Sequence, residues 1–90
     1  MKRAHLIVSG RVQGVFYRDF VRKEAEKRGV AGFVRNLQNG NVEIVAEAPE
    51  SKLEPFIREC KRGSFLSHVA KVDVKYENTK EEFEDFEIRF

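Results

Sequence analysis

Apolar and polar residues alternate from His5 to Val12, and Leu6, Val8, Gly10 and Val12 fall on one side of an extended chain. The period then changes. Tyr17, Phe20, Val21 and Ala25 stand at i, i+3, i+4 and i+8, which predicts a helix from Tyr17 to Arg28 with one buried face. Lys27 and Arg28 suit the negative end of that helix, and Gly29 supplies a stop. Val30–Leu37 reads as a strand, and Asn39-Gly40 is the signal of a type I′ hairpin into Val42–Ala48. Ser51-Lys52-Leu53-Glu54 has the capping-box form, and Leu53, Phe56, Ile57 and Cys60 mark a second helical stripe ending at Gly63. Pro55 conflicts with Ser51 as the cap, because it removes an early intrahelical donor. Ser64–His68 reads as a loop. Ala70, Val72, Val74 and Tyr76 alternate through a further strand, and Phe86, Ile88 and Phe90 through a short last one.

The predicted order is therefore βαββαβ with an extra C-terminal strand, an α+β arrangement. Two strand–helix–strand units joined by a hairpin describe a ferredoxin-like sandwich, an antiparallel sheet with two helices on one face. That architecture serves enzymes, RNA binders and regulatory domains alike, so it leaves function open.

The chain has 90 residues, enough for one domain spanning 1–90 and one two-layer core. Its 41% hydrophobic content, with eight Phe and two Tyr, can fill that core despite 36% charged residues. No apolar run reaches the roughly 20 residues of a membrane span, so no membrane association is expected. Cys60 is the single cysteine, which excludes an internal disulfide and suits a reducing cytoplasm. With only His5 and His68 besides, a zinc site is poorly supplied, and neither metal nor cofactor is expected. Charge is uneven. Residues 1–45 carry nine Lys and Arg against four Asp and Glu, whereas 46–90 carry eight against eleven. An anionic partner near the first half would account for this, although solvated surface charge is the simpler reading.

Chemistry concentrates in Gly10-Arg11-Val12-Gln13-Gly14-Val15-Phe16-Tyr17-Arg18, between a strand and a helix start. Gly14 permits the positive φ that turns successive N–H groups into a concave nest, and the helix aims its positive end at the same place. Arg18 adds a two-pronged donor suited to phosphate oxygens. Taken alone, the segment reads more simply as an ordinary strand-to-helix turn with an exposed Arg, because a glycine loop is a weak signal. In the second segment, Gly32-Phe33-Val34-Arg35-Asn36-Leu37-Gln38-Asn39-Gly40, the Asn36 amide could hold a water beside an anion nest. Taken alone, Asn36 more simply satisfies the hairpin backbone, as Asn commonly does.

Together, the two segments closely resemble the two signatures of the acylphosphatase family: G-x-V-Q-G-V-x-aromatic-R, and G-aromatic-V-R-N-x-x-x-G-x-V running through Val42. Tyr17 stands where Phe is usual, and Ala48 where the family pattern generally has Gly. The resemblance extends along nearly all of the chain. It implies hydrolysis of the carboxyl-phosphate anhydride of a small acyl phosphate to carboxylate and inorganic phosphate. Carried onto this chain, backbone amides of Gln13, Gly14, Val15, Phe16, Tyr17 and Arg18 would cradle the phosphate, Arg18 would grip it, and Asn36 would orient the attacking water. A monomer is expected.

Cys60 lies on an apolar stripe and reads as core, and His5 and His68 read as surface or packing residues. Arg11 and Arg35 could steer anions, and Glu81–Asp85 reads as a solvated acidic loop. A non-catalytic ferredoxin-like module binding RNA or a regulatory ligand is the main alternative. Its RNA form is weakened because Val30 and Gly32 occupy positions where the ribonucleoprotein octamer needs aromatics. An accessory role within a larger machine, such as the carbamoyl-transfer proteins of hydrogenase maturation, is a further one.

Overall fold

A computed structural model describes residues 1–90. The chain runs β1 (Lys2–Arg11), α1 (Tyr17–Arg28), β2 (Ala31–Asn36), β3 (Val42–Ala48), α2 (Glu50–Arg62), β4 (His68–Glu77) and β5 (Phe86–Arg89). The strands form one sheet in the order β4-β1-β3-β2-β5. Both helices pack on one face of it. Ala4, Leu6 and Val8 of β1, Val34 of β2, and Val42, Ile44 and Ala46 of β3 share one buried cluster with Val21 and Ala25 of α1 and Leu53, Phe56 and Cys60 of α2. The sheet is mixed, whereas an antiparallel one is predicted. β5 runs parallel to β2, with Val34 opposite Ile88, because the chain returns along 78–85 before pairing at the free edge.

The boundaries of α1 and β3 match the hydrophobic pattern, and other details depart from it. The capping box is not made: Pro49 is the N-cap of α2, and its carbonyl accepts the N–H groups of Lys52 and Leu53 at 2.9 and 3.0 Å. Pro55 lies inside the helix, so the Ser51 carbonyl has no i+4 donor. The hairpin is not type I′, since Asn39 keeps a negative φ. Instead the Gly40 N–H closes a turn onto Leu37 O at 3.2 Å, and Gly40 alone takes a positive φ of 95°. β4 begins at His68, opposite Arg11, and the register against β1 shifts between Ser9 and Gly10. That bulge leaves Ala70 exposed and turns Val69 toward the core in its place. Gly10 is required there, because a Cβ would lie 2.3 Å from His68 O and 2.6 Å from the Ala70 nitrogen. Ala48 sits in regular strand opposite Lys2 with its methyl in the core, so its departure from the usual Gly creates no strain.

A buried ion pair holds the open face of the sheet. Arg3 and Glu47 are register partners on β1 and β3, and Arg3 Nε donates to Glu47 Oε2 at 3.0 Å. The same oxygen accepts the Thr79 hydroxyl at 2.9 Å and the Lys80 N–H at 3.0 Å. Burial acts to raise the Glu47 carboxyl, but the Lys80 and Thr79 donors and Arg3 outweigh it and hold the group below its ordinary value. Arg3 also pairs with Glu82, so the acidic segment is partly anchored and is not a wholly solvated loop.

Candidate active site

The loop from Val12 to Phe16 joins β1 to α1, and two of its residues adopt left-handed backbone conformations. Gly14 has φ 72°, as its residue type invites. Phe16, the N-cap of α1, has φ 61° and ψ 21° and no side-chain cap. Alternating handedness of this kind turns neighbouring N–H groups toward a common point. Outside the regular elements, no backbone hydrogen bond is donated by any residue from Gln13 to Asp19, and the first is Phe20 N–H to Phe16 O at 3.1 Å. The loop therefore offers a run of uncommitted donors at the positive end of a helix.

The side chains of the loop hold it in place. Tyr17 is buried, and its hydroxyl donates to Cys60 O at 2.8 Å, satisfying a carbonyl in the last turn of α2. The hydroxyl that distinguishes Tyr17 from the usual Phe thus has a partner. Burial pushes both the Tyr17 phenol and the Cys60 thiol well above their ordinary values, and each stays neutral. Gln13 Nε2 donates to Leu37 O and to Asn41 O, each at 2.8 Å, which ties the loop to the β2–β3 hairpin.

Arg18 lies in the first turn of α1. Its guanidinium sits 4.8 Å from the centre of the Phe90 ring, and Nη1 reaches Arg89 O at 3.4 Å. Arg22, Arg35 and Arg89 are each committed to a carboxylate, on Asp19, Glu43 and Glu87; Arg18 is not. Phe90 lies just beyond β5 instead of continuing its Phe86 and Ile88 face, and is 99% exposed beside this arginine. Arg35 lies on the opposite face with Glu43 and His5, whose Nε2 is 2.7 Å from Glu43, so it does not face the loop. Arg11 is exposed at the end of β1. Asp19 is held below the ordinary carboxylate range by Arg22 and Lys23.

Asn36 is the last residue of β2, and alternation puts it on the same face as the buried Val34, the side covered by α1. Its Oδ1 is buried and accepts no hydrogen bond from the protein. Gln13 bonds to the carbonyl of the very next residue, so the hairpin end and the loop are fixed to one another.

A cleft of about 400 Å³ is lined by Gly14, Phe16, Tyr17 and Arg18 of the predicted set, together with Val12, Asp19, Ile88 and Phe90. Gln13 and Asn36 do not line it, and the Val15 side chain faces a neighbouring cleft. No group of three or more His, Cys, Asp or Glu side chains is placed to hold a metal ion. No helix is long and apolar enough to cross a membrane. The sequence reading assigned Gln13 only through its backbone and missed its cross-linking side chain, which no local pattern reveals because its partners lie 24 and 28 residues away.

The sequence model of the Acylphosphatase family matches residues 4–88. A protein of Haloarcula marismortui named Acylphosphatase is 47% identical over 88 residues, 98% of this chain and 96% of that one. The crystal structure of acylphosphatase from Bacillus subtilis superimposes with a TM-score of 0.96 at 43% identity, covering all of both chains. The structure of an acylphosphatase from Coxiella burnetii does so with a TM-score of 0.91 at 35% identity, covering 98% of this chain and 92% of that one.

Proposed function

The chain belongs to the acylphosphatase family and hydrolyses acyl phosphates, and on that premise we propose how its residues divide the work. The backbone N–H groups of Gln13 to Arg18 cradle the phosphate, the Arg18 guanidinium, paired with no carboxylate, grips two of its oxygens, and the Asn36 amide orients the water. The observation that carries this reading is the left-handed pair Gly14 and Phe16 at the head of α1, with every N–H from Gln13 to Asp19 uncommitted. Phosphoryl transfer depends mainly on positioning and on stabilising charge, which oriented dipoles and one arginine supply.

In the step itself the water oxygen attacks phosphorus in line. The bond from phosphorus to the acyl oxygen breaks, and the carboxylate leaves with the electron pair. The proton lost by the water passes to phosphate. Because the conjugate acid of the leaving group has a pKa of about 4, no general acid is needed at neutral pH. The unpaired, buried Asn36 Oδ1 supports the assignment of the water, since it has acceptor capacity that the protein leaves unused. The reaction as written requires neither metal nor cofactor.

We also read the chain as one domain over residues 1–90, acting as a cytoplasmic monomer on a small molecule. A nucleic-acid partner is disfavoured because Phe33, on the open face of the sheet, is already covered by Arg89 at 4.1 Å and by Phe83 at 5.9 Å.

Hydrolysis of benzoyl phosphate by the purified protein in ¹⁸O-water tests the reading. Chelator-resistant turnover with the label in inorganic phosphate is expected. Label in benzoate would place the attack on carbon and remove the roles given to the loop and Asn36. Failure of well-folded protein to turn over would favour the binding module instead.

A further inference from the structure

Six large apolar side chains are exposed on this protein: Met1, Phe16, Phe65, Leu66, Tyr76 and Phe90. Four of them line two clefts that share Phe16 and Asp19. One cleft contains Gly14 and Arg18. The other, of about 310 Å³, lies between Val15, Phe16 and Phe20 at the start of α1 and Phe65-Leu66 in the turn before β4. Exposing large apolar groups to water is unfavourable, and their concentration beside a polar site marks a surface that receives an apolar ligand.

The turn carrying Phe65 and Leu66 is held in shape. Ser64 N–H donates to Ser67 Oγ at 2.8 Å, Ser67 Oγ donates to Ser64 O at 3.1 Å, and Ser67 N–H reaches the same carbonyl at 3.2 Å. A reciprocally bonded frame thus holds a fully exposed Phe65 and a half-exposed Leu66 at the rim of this cleft. The charges on this cleft, Asp19 and Lys23, pair with each other at 3.2 Å. An uncharged group entering it therefore meets no unpaired charge.

An acyl phosphate has a dianionic end joined through one oxygen to an acyl group, so a site for it needs a phosphate cradle and an acyl surface side by side. Phe16 belongs to both, lending its backbone to the loop and its ring, 76% exposed, to the cleft. We propose that the cleft between α1 and Phe65-Leu66 receives the acyl group, so that the enzyme favours acyl phosphates whose acyl group is apolar and uncharged. The inference rests on the phosphate lying in the Gln13–Arg18 loop as argued above.

The test compares kcat/KM for benzoyl phosphate and acetyl phosphate in the wild type, in Phe65→Ser and in the Phe65→Ser, Leu66→Ser double variant. The ratio between the two substrates, taken relative to the wild type, cancels their intrinsic reactivities. Loss of apolar contact in an open subsite should lower that ratio about tenfold in the double variant and less in the single one. Acetyl phosphate turnover, inhibition by inorganic phosphate and the melting temperature should hold. An unchanged ratio, or equal losses on both substrates, overturns the subsite while leaving the hydrolase reading intact. A wild type that hydrolyses neither substrate overturns that reading and the subsite with it.

Discussion

The side chain of Gln13 offers the sharpest separation between holding the fold and holding the site. In Gln13→Ala the two 2.8 Å bonds from Nε2 to Leu37 O and Asn41 O are lost. Neither carbonyl is orphaned, because Gly40 N–H still donates to Leu37 O and Leu37 N–H to Asn41 O. The stability cost therefore sits at the low end for two neutral hydrogen bonds, about 1–2 kcal/mol. For a domain of this size that lowers the melting temperature by about 5–15 °C. The catalytic cost should be larger in proportion. The same bonds set the loop against the strand end that bears Asn36, and a displacement of about 1 Å between reacting groups costs on the order of a hundredfold. Gln13→Glu should be worse than Gln13→Ala at neutral pH, since a carboxylate would face two carbonyl oxygens with no hydrogen to donate. The assay is kcat on benzoyl phosphate beside a melting curve for each variant. A Gln13→Ala enzyme that melts lower yet turns over like the wild type would refute the reasoning, as would a Gln13→Glu variant indistinguishable from Gln13→Ala.

Two further expectations concern the fold beneath the site. Gly10→Ala places a methyl against the His68 carbonyl in a bulge where φ is 120°, and should destabilise by about 3 kcal/mol. Gly14→Ala meets nothing within 4 Å and should cost only about 1 kcal/mol, through its φ of 72°; denaturant midpoints of the two variants check the contrast, and equal losses would contradict it. Glu47→Gln leaves the buried Arg3 with only the half-exposed Glu82 as counter-charge and should cost about 2 kcal/mol at pH 7 by urea unfolding. Because Glu47 is depressed in the folded state, the stability it supplies is complete above the ordinary carboxylate pKa of about 4 and is lost as pH falls through the folded value. Wild type and variant should converge in acid, and a gap that persisted unchanged there would refute the assignment.

What the sequence reveals is what is local and periodic. The stripe Tyr17, Val21, Ala25 with Gly29 behind it predicts α1, and two glycine-bearing segments in order single out the loop and Asn36 as candidates. Alternation also puts Asn36 on the helix-covered face of the sheet, two residues beyond Val34, where the structure has it. It misleads in β4, because the period of two assumes an unbroken ladder and the bulge at Gly10 moves the inward position from Ala70 to Val69. The serine–glutamate cap of α2 fails for a different reason: Pro49, one residue before the helix, already supplies the carbonyl that starts it. Contacts distant along the chain leave no local trace. The Arg3–Glu47 pair spans 44 residues and the Arg18–Phe90 stack 72, and neither follows from any pattern around its members. Phe16 is hidden by its type, since nothing in a phenylalanine signals a left-handed backbone.

The division of labour at the site is tested most directly by comparing Arg18→Ala and Asn36→Ala in two assays, turnover of benzoyl phosphate and competitive inhibition by inorganic phosphate. Both variants should lose about 10²–10³-fold in kcat while remaining folded. Only Arg18→Ala should also weaken phosphate inhibition, by about tenfold or more, because it removes a charge-assisted contact to the bound anion. Asn36→Ala should bind phosphate as the wild type does. Near-wild-type turnover in either variant, or phosphate binding lost equally in both, would contradict the roles assigned to the loop arginine and the strand-end amide.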